Sequence, residues 1–304
     1  MSNVLLTGAA GFIGKAVHCK LCKNGVDCLA IDKQPDACNE GRKSAQERVL
    51  DCDLTDPAAL DELFASHVFD CIIHLAGVLP GAASRDPIRA TQINVGGTMA
   101  LLKRATSHRV RRFVFGSSTS VYGAAGTDNP ISEPCDIAPI DVYGGAKRAV
   151  EIVGENLHEN GSIEFVSLRI ATVVGAGARN TSSPWRSEIF EKLGNDDRIC
   201  LPYAANDPLT VVHLDDVARM LIRLAEAKSI RHVTYNTPAE LLTARELKGT
   251  VESIAPKTKM ELTGRTRPLA PLADGSRFAR EFGFEITPLE QHLRAAFLQS
   301  AKQI

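Results

Sequence analysis

An apolar run at residues 3–7 leads straight into Gly8-Ala9-Ala10-Gly11-Phe12-Ile13-Gly14, and the residues that follow carry a helical pattern. Three glycines at this spacing, between a strand and a helix, constrain the chain more than any other feature. Gly8 permits a tight turn, Gly11 lets a phosphate approach the backbone, and Gly14 lets the helix pack close to the sheet. The unpaired amides opening such a helix, with the helix dipole, favour an anion. The turn therefore defines a strand-to-helix unit of a parallel sheet, with a pyrophosphate-binding site at its end.

The rest of the first half fits that unit. Short β-branched runs near 27–32, 47–51, 69–75 and 112–116 alternate with helical patterns, and a helix from Val142 to Asn160 precedes a strand from Glu164 to Arg169. This alternation predicts an α/β fold: a Rossmann-type doubly wound parallel sheet with helices on both faces and a smaller C-terminal substrate-binding region. The boundaries are 1–170 for the dinucleotide-binding domain, with part of 210–236 returning to it, and 171–304 for the substrate region. Beyond Ile170 the pattern loosens around Gly175, Gly177, Pro184, Trp185, Pro202 and Pro208. A helix from Asp215 to Ala227 follows, then short helices at Ala244–Ile254, Gly275–Glu281 and Pro288–Gln299, with a possible strand between the first two of these three.

Charge excludes some functions. The 304 residues carry 35 Lys and Arg against 36 Asp and Glu, which leaves no basic field for nucleic acid. The densest basic run, Arg109, Arg111 and Arg112, reads as a solvated turn. The N-terminus has no signal-peptide pattern and no apolar run is long enough to span a membrane, so a cytoplasmic protein is expected. The eight cysteines are scattered, and the Cys19–Cys22 spacing has no second pair to complete a zinc site. No metal is expected.

Asp32 ends the second strand, 24 residues beyond Gly8. A carboxylate there accepts hydrogen bonds from the adenosine ribose hydroxyls and repels a ribose phosphate, which favours NAD over NADP. Lys33 beside it softens that repulsion, and a turn residue ending a strand is the alternative reading of Asp32. Asp53 and Leu54, after the third strand, are placed to meet the adenine, the carboxylate taking the exocyclic amine and Leu54 packing on the ring. Asp51, Asp53 and Asp56 together could hold a cation, but Thr55 or Asp56 capping a helix ahead of Pro57 is simpler.

Tyr143 and Lys147 stand four apart on a predicted helix and share one face. An ammonium beside a phenol stabilises the phenolate, so Tyr143 can take a hydroxyl proton while the adjoining carbon is oxidised. The chain here resembles the extended short-chain dehydrogenase/reductase family, the NAD-dependent epimerases and dehydratases. TGAAGFIG at 7–14, HLAG at 74–77, NVGGT at 94–98, FVFGSSTSVYG at 113–123, YGGAK at 143–147, LRIATVVGAG at 168–177 and VVHLDDVA at 211–218 fall in that family's order. The resemblance implies that Ser118 is the catalytic hydroxyl residue beside Tyr143 and that Lys147 also holds the nicotinamide ribose. It further implies that Phe12, Ile13, Leu75, Ala76, Gly77 and Ile170 line the cofactor and that Asn94 supports the site.

Departures from the family narrow the reaction. Its dehydratases carry an acidic pair after the catalytic hydroxyl, where this chain has Thr119 and Ser120. Its nucleotide-sugar epimerases usually carry an Asn in the segment of Thr172 and an Arg at Leu209 for the diphosphate, and both are missing. Arg179, Arg186, Arg265 or Arg267 would have to compensate. Ser84, Thr119, Tyr122, Arg179, Asn180 and Ser182 suit a small polyhydroxy compound or sugar acid, with Ser118 and Thr172 also facing substrate. The preferred reading is a dehydrogenase that releases reduced NAD. The alternatives are a nucleotide-sugar epimerase with tightly held NAD, a reductase of apolar carbonyl compounds and, from another class, a non-catalytic NAD-binding scaffold. The resemblance implies a homodimer through helices around 85–107 and 142–160, while the apolar faces of those helices serve equally well as intramolecular core. His74 and His213, beside apolar strands, read as structural.

Overall fold

The computed structural model describes residues 3–33, 35, 48–123, 130–135, 137–178, 183–265 and 269–300. Arg179, Asn180, Ser182 and Arg267 lie outside the described residues. The chain divides into two compact units: Met1–Gly123 with Ile137–Arg169 and Ala218–Tyr235, and Ala124–Asp136 with Ile170–Val217 and Asn236–Ile304.

The first unit is built on a seven-stranded sheet. Its strands are β1 (Asn3–Thr7), β2 (Asp27–Asp32), β3 (Val49–Asp51), β4 (Cys71–His74), β5 (Arg112–Ser118), β6 (Glu164–Ile170) and Thr234–Asn236. From one edge they run Thr234–Asn236, β6, β5, β4, β1, β2, β3. β1 pairs in parallel with β2 and β4, β2 with β3, and β4 with β5. The order reverses direction between β1 and β4, and in open α/β sheets ligands bind in the crevice at the strand ends there. That end of β1 is Thr7, where the glycine turn begins. Strands buried on both faces read as continuous apolar runs, and β4 and β5 do so: Ile72, Ile73, Phe113, Val114 and Phe115 are all buried.

Around the sheet lie α1 (Phe12–Lys23), α2 (Pro57–Ser66), α3 (Pro80–Arg85), α4 (Pro87–Thr91), α5 (Thr98–Ser107) and α6 (Val142–Glu159). Asp56 caps α2, accepting from the amides of Ala58 and Ala59 with Pro57 at the first helical position, so the cap is Asp56 and not Thr55. The segment 85–107 is not one helix. Asp86 and Pro87 restart the chain, and residues Gln92–Gly97 form a π-helical stretch before α5. Proline removes a helical donor, which explains the first break.

The basic run at 109–112 departs from its reading as a solvated turn. Arg109 adopts a left-handed backbone (φ 56) and Arg111 pairs with Glu164 at 3.1 Å, but Arg112 is fully buried. Its guanidinium donates to the carbonyls of Leu224, Ala225 and Ala227 and to both oxygens of Glu164. It closes the C-terminal end of the helix Leu214–Glu226, where orphan carbonyls need donors.

In the second unit the stretch read as loose carries the strands Thr172–Val174, Arg198–Leu201 and Pro208–His213 and the helix Trp185–Glu191. Pro208–His213 lies between Thr172–Val174 and Glu240–Thr243. Pro208 is tolerated because it is the strand's first residue. Trp185, Ile189, Leu201, Tyr203 and Leu209 belong to one apolar core there.

Candidate active site

The glycine turn is sterically exclusive. A Cβ on Gly8 (φ +71) would fall 2.5 Å from the Ala76 amide nitrogen, and one on Gly14 would fall 1.9 Å from the Gly8 carbonyl oxygen. Gly11 is the N-cap of α1, with no side-chain cap and no acidic residue in the first turn, so the helix itself brings no carboxylate to its opening amides. The Asp32 carboxylate is tied to the same turn: Oδ2 accepts from the Ala10 amide at 2.8 Å and Oδ1 from the Lys33 amide at 2.7 Å. Burial raises its pKa above the ordinary carboxylate value, against the lowering effect of those amides. The turn and carboxylate together fit a dinucleotide.

Lys33 does not stand free beside Asp32. Its ammonium donates to Asp53 Oδ2 at 2.5 Å, and this contact, with lesser help from Thr55, brings Asp53 down to about 2. Thr55 donates its amide and hydroxyl to Asp53 Oδ1. An outside donor therefore meets Asp53 at Oδ2, in competition with Lys33. Leu54 is buried against Gly97, beside a pocket of about 410 Å³ that it lines with Thr55, Gln92, Ile93 and Gly96.

A chain of hydrogen bonds crosses the crevice. The Ala76 amide donates to Thr7 Oγ1 (3.3 Å), Thr7 Oγ1 meets His74 Nδ1 (2.6 Å), His74 Nε2 meets Thr98 Oγ1 (2.8 Å), and Thr98 Oγ1 donates to the Asn94 carbonyl (2.7 Å). Because the single Thr98 proton goes to Asn94, His74 carries its proton on Nε2 and accepts from Thr7 at Nδ1. Burial, with Lys147 nearby, brings His74 down to about 3, so it is neutral and structural. The Asn94 side chain holds the Val78 amide (2.6 Å) and carbonyl (2.9 Å), fixing the loop of Leu75, Ala76 and Gly77.

Ser118 ends β5 and caps a 3-10 turn, Thr119–Tyr122. Its hydroxyl accepts from the Ser120 amide and donates to Ser120 Oγ, both at 3.1 Å. Tyr143 opens α6 half-buried, behind the N-cap Asp141. Lys147 is buried one turn later, its ammonium 2.6 Å from the Gly116 carbonyl, 4.5 Å from the Phe115 ring centroid and 5.7 Å from that of Tyr143. Burial lowers it to about 8, opposed by Glu151.

The polar candidates for substrate divide. Thr119 is buried in the 3-10 turn, and Ser84, exposed, donates its hydroxyl to the Pro80 carbonyl at 3.0 Å. Tyr122 is not open to substrate as its sequence position implied: it is 5% exposed and its hydroxyl accepts from Arg169 at 2.8 Å. That arginine, with Glu151 and Ser117, forms a buried network that sequence reasoning missed. A glutamate one turn after Lys147 on an otherwise apolar helix face was the signal available. In the second unit, Thr172 is buried in its strand, Leu209 sits in the apolar core, and Arg265 forks onto Asp207. His213 stacks on His292 at 3.6 Å and accepts from the Asp215 amide.

Residues 4–236 match the NAD dependent epimerase/dehydratase family, and the chain belongs to that family. Among relatives, it is 32% identical over 219 residues to the UDP-glucose 4-epimerase of Erwinia amylovora, covering 63% of this chain and 64% of that protein. It is 29% identical over 274 residues to UDP-glucose 4-epimerase 2 of Oryza sativa subsp. japonica, covering 77% and 64%. The chain thus spans less than two thirds of the length of these relatives. Two solved structures share the fold: L-threonine dehydrogenase from Phytophthora infestans (TM-score 0.89, 18% identity, all of both chains) and UDP-glucose 4-epimerase from Thermotoga maritima (0.82, 23%, 99% of both).

Proposed function

We propose that the protein is an NAD-dependent dehydrogenase acting on a hydroxyl of a small sugar, sugar acid or related polyol. Ser118, Tyr143 and Lys147 supply the chemistry. Gly8, Gly11, Phe12, Ile13, Gly14 and Asp32 hold the pyrophosphate and adenosine ribose, Asp53 and Leu54 the adenine, and Leu75, Ala76 and Gly77 the remaining face. When bound, NAD supplies the two-electron acceptor. Tyr143 takes the substrate hydroxyl proton on its phenolic oxygen. The base is the Tyr143 phenolate, which the nearby Lys147 ammonium stabilises before the transfer and which becomes the neutral phenol as it takes the proton. Ser118 exchanges its bond to Ser120 Oγ for one to the substrate oxygen and orients it. Lys33, engaged by Asp53, leaves Asp32 to select NAD.

One observation carries the choice of a small substrate over a nucleotide sugar. Leu209, at the place of a diphosphate-binding arginine, is 7% exposed within the core of its unit, and the neighbouring Arg265 is already neutralised by Asp207. A diphosphate there would get no cation from position 209, and Arg265 would have to give up Asp207 to supply one. The relatives named UDP-glucose 4-epimerase keep the epimerase as the second reading. The test follows reduced NAD with catalytic amounts of protein and a panel of aldonic acids, uronic acids, free sugars and UDP-sugars. Steady release of reduced NAD on an acid or polyol is the expected result. Interconversion of UDP-sugars with NAD retained on the protein would replace this reading by the second.

The same reading includes a homodimer. Ile88 on α4 is 74% exposed, and Ile152 and Val153 on α6 are 48% and 38% exposed, apolar surface that a second copy would cover.

A further inference from the structure

Glu151 lies one helical turn beyond Lys147 on α6 and is completely buried. Four donors converge on it. Ser117 Oγ (2.7 Å) and Arg169 Nε (3.0 Å) donate to Oε1, and Arg169 Nη2 (2.9 Å) and Arg148 Nη1 (3.2 Å) donate to Oε2. Accepting at every contact is the pattern of an ionised carboxylate. Arg169, 2% exposed, donates its remaining Nη1 to the Tyr122 hydroxyl, and its guanidinium lies 4.9 Å from that ring's centroid.

Arg169, on β6, ties Glu151 to segments that carry the catalytic groups. Ser117 precedes Ser118 at the end of β5, and Tyr122 ends the 3-10 turn that Ser118 caps. Tyr143, Lys147 and Glu151 share α6. For stability alone, a buried ion pair is no better than packed apolar residues, because desolvating both charges consumes most of their attraction. What apolar residues cannot supply is a negative charge one turn from a buried ammonium.

We propose that Glu151 is a positioning residue: clamped by Arg169 and Ser117, its carboxylate keeps the Lys147 ammonium charged and fixes the Ser118 turn against α6. This rests on the assignment of Ser118, Tyr143 and Lys147 as the catalytic group. The other groups around Lys147 cannot replace it. The Gly116 carbonyl and Phe115 ring of β5 are uncharged, His74 of β4 is neutral, and Tyr143 on the same helix carries a negative charge only as its phenolate. Burial alone drives a lysine toward the neutral form, and Glu151 works against that drive.

The test reads Lys147 directly in the cofactor-free protein. With 13C-lysine labelling, the Lys147 Cε resonance, assigned through Lys147→Arg, is followed against pH. The parent titrates near pH 8, and Glu151→Gln lowers the midpoint by about one pH unit or more. The alkaline limb of kcat/KM moves with it, with KM little changed. Glu151→Gln strands the Arg169 charge, so Glu151→Gln with Arg169→Gln, which removes both charges, is the second variant. It lowers the midpoint in the same direction by a smaller amount. A purely structural role predicts otherwise: the double variant folds, and Lys147 keeps the parent midpoint. That result overturns the proposal. Since the titration needs no substrate, an enzyme inactive on sugar acids would count against the proposed function and not against this assignment.

Discussion

Lys147 places an ammonium where water does not reach, and the consequence is measurable without a substrate. The group titrates at 10.5 when unfolded and at about 8 in the folded protein. Between those values the unfolded chain binds more protons, so parent stability rises with pH across the window; below about 8 the full penalty applies. At 1.36 kcal/mol per pH unit, the penalty is on the order of 3 kcal/mol. Lys147→Met has no such dependence. The difference in unfolding free energy between parent and Lys147→Met should therefore shift by on the order of 3 kcal/mol in the parent's favour from pH 7 to pH 10.5. Denaturant unfolding of both proteins across that range measures it, and a difference that stays flat would refute the burial of a charged lysine.

At the scale of elements, the strand-turn-helix from β1 to α1 depends on the missing side chain at Gly14. A methyl there would lie 1.9 Å from the Gly8 carbonyl oxygen, a backbone atom that cannot swing aside. Gly14→Ala should cost at least about 2 kcal/mol in unfolding free energy and weaken NAD binding, read by thermal unfolding and calorimetry. A variant as stable as the parent would mean that the helix does not pack as described. This unit was legible in the sequence because glycine spacing, apolar run and helical pattern agree. β2, β6 and α6 were legible for the same reason. The stretch 171–213 was not: its strands and helix are short, and its glycines and prolines mask Trp185, which is fully buried. The π-helical turn at Gln92–Gly97 was also hidden, since a single turn of i→i+5 bonds is too short to shift the pattern of apolar residues. Within the candidate site, the glycines, Asp32, Tyr143 and Lys147 could be read from spacing. The tie of Lys33 to Asp53, and of Tyr122 to Arg169, joins residues far apart in the chain that only the folded sheet brings together.

For the whole molecule, the family match spans 4–236, and the last part of the chain adds the helices Ala244–Ile254, Ser276–Phe282 and Leu289–Ser300. Among the described residues no helix is long and apolar enough to cross a membrane. If two copies meet through α4 and α6, Ile152→Glu should convert a dimer to a folded monomer in sedimentation analysis, and the thermal midpoint should lose its dependence on protein concentration, because Ile152 is 48% exposed in the single chain and its replacement disturbs only the interface. An unchanged sedimentation coefficient would place the interface elsewhere.

Tyr143→Phe removes only the oxygen proposed to accept the substrate's hydroxyl proton. With the substrate found in the panel, turnover of Tyr143→Phe should fall by about 10²-fold or more while calorimetry shows NAD affinity within a few-fold of the parent. Turnover within tenfold of the parent, with NAD still bound, would contradict the assignment and move the base to another residue.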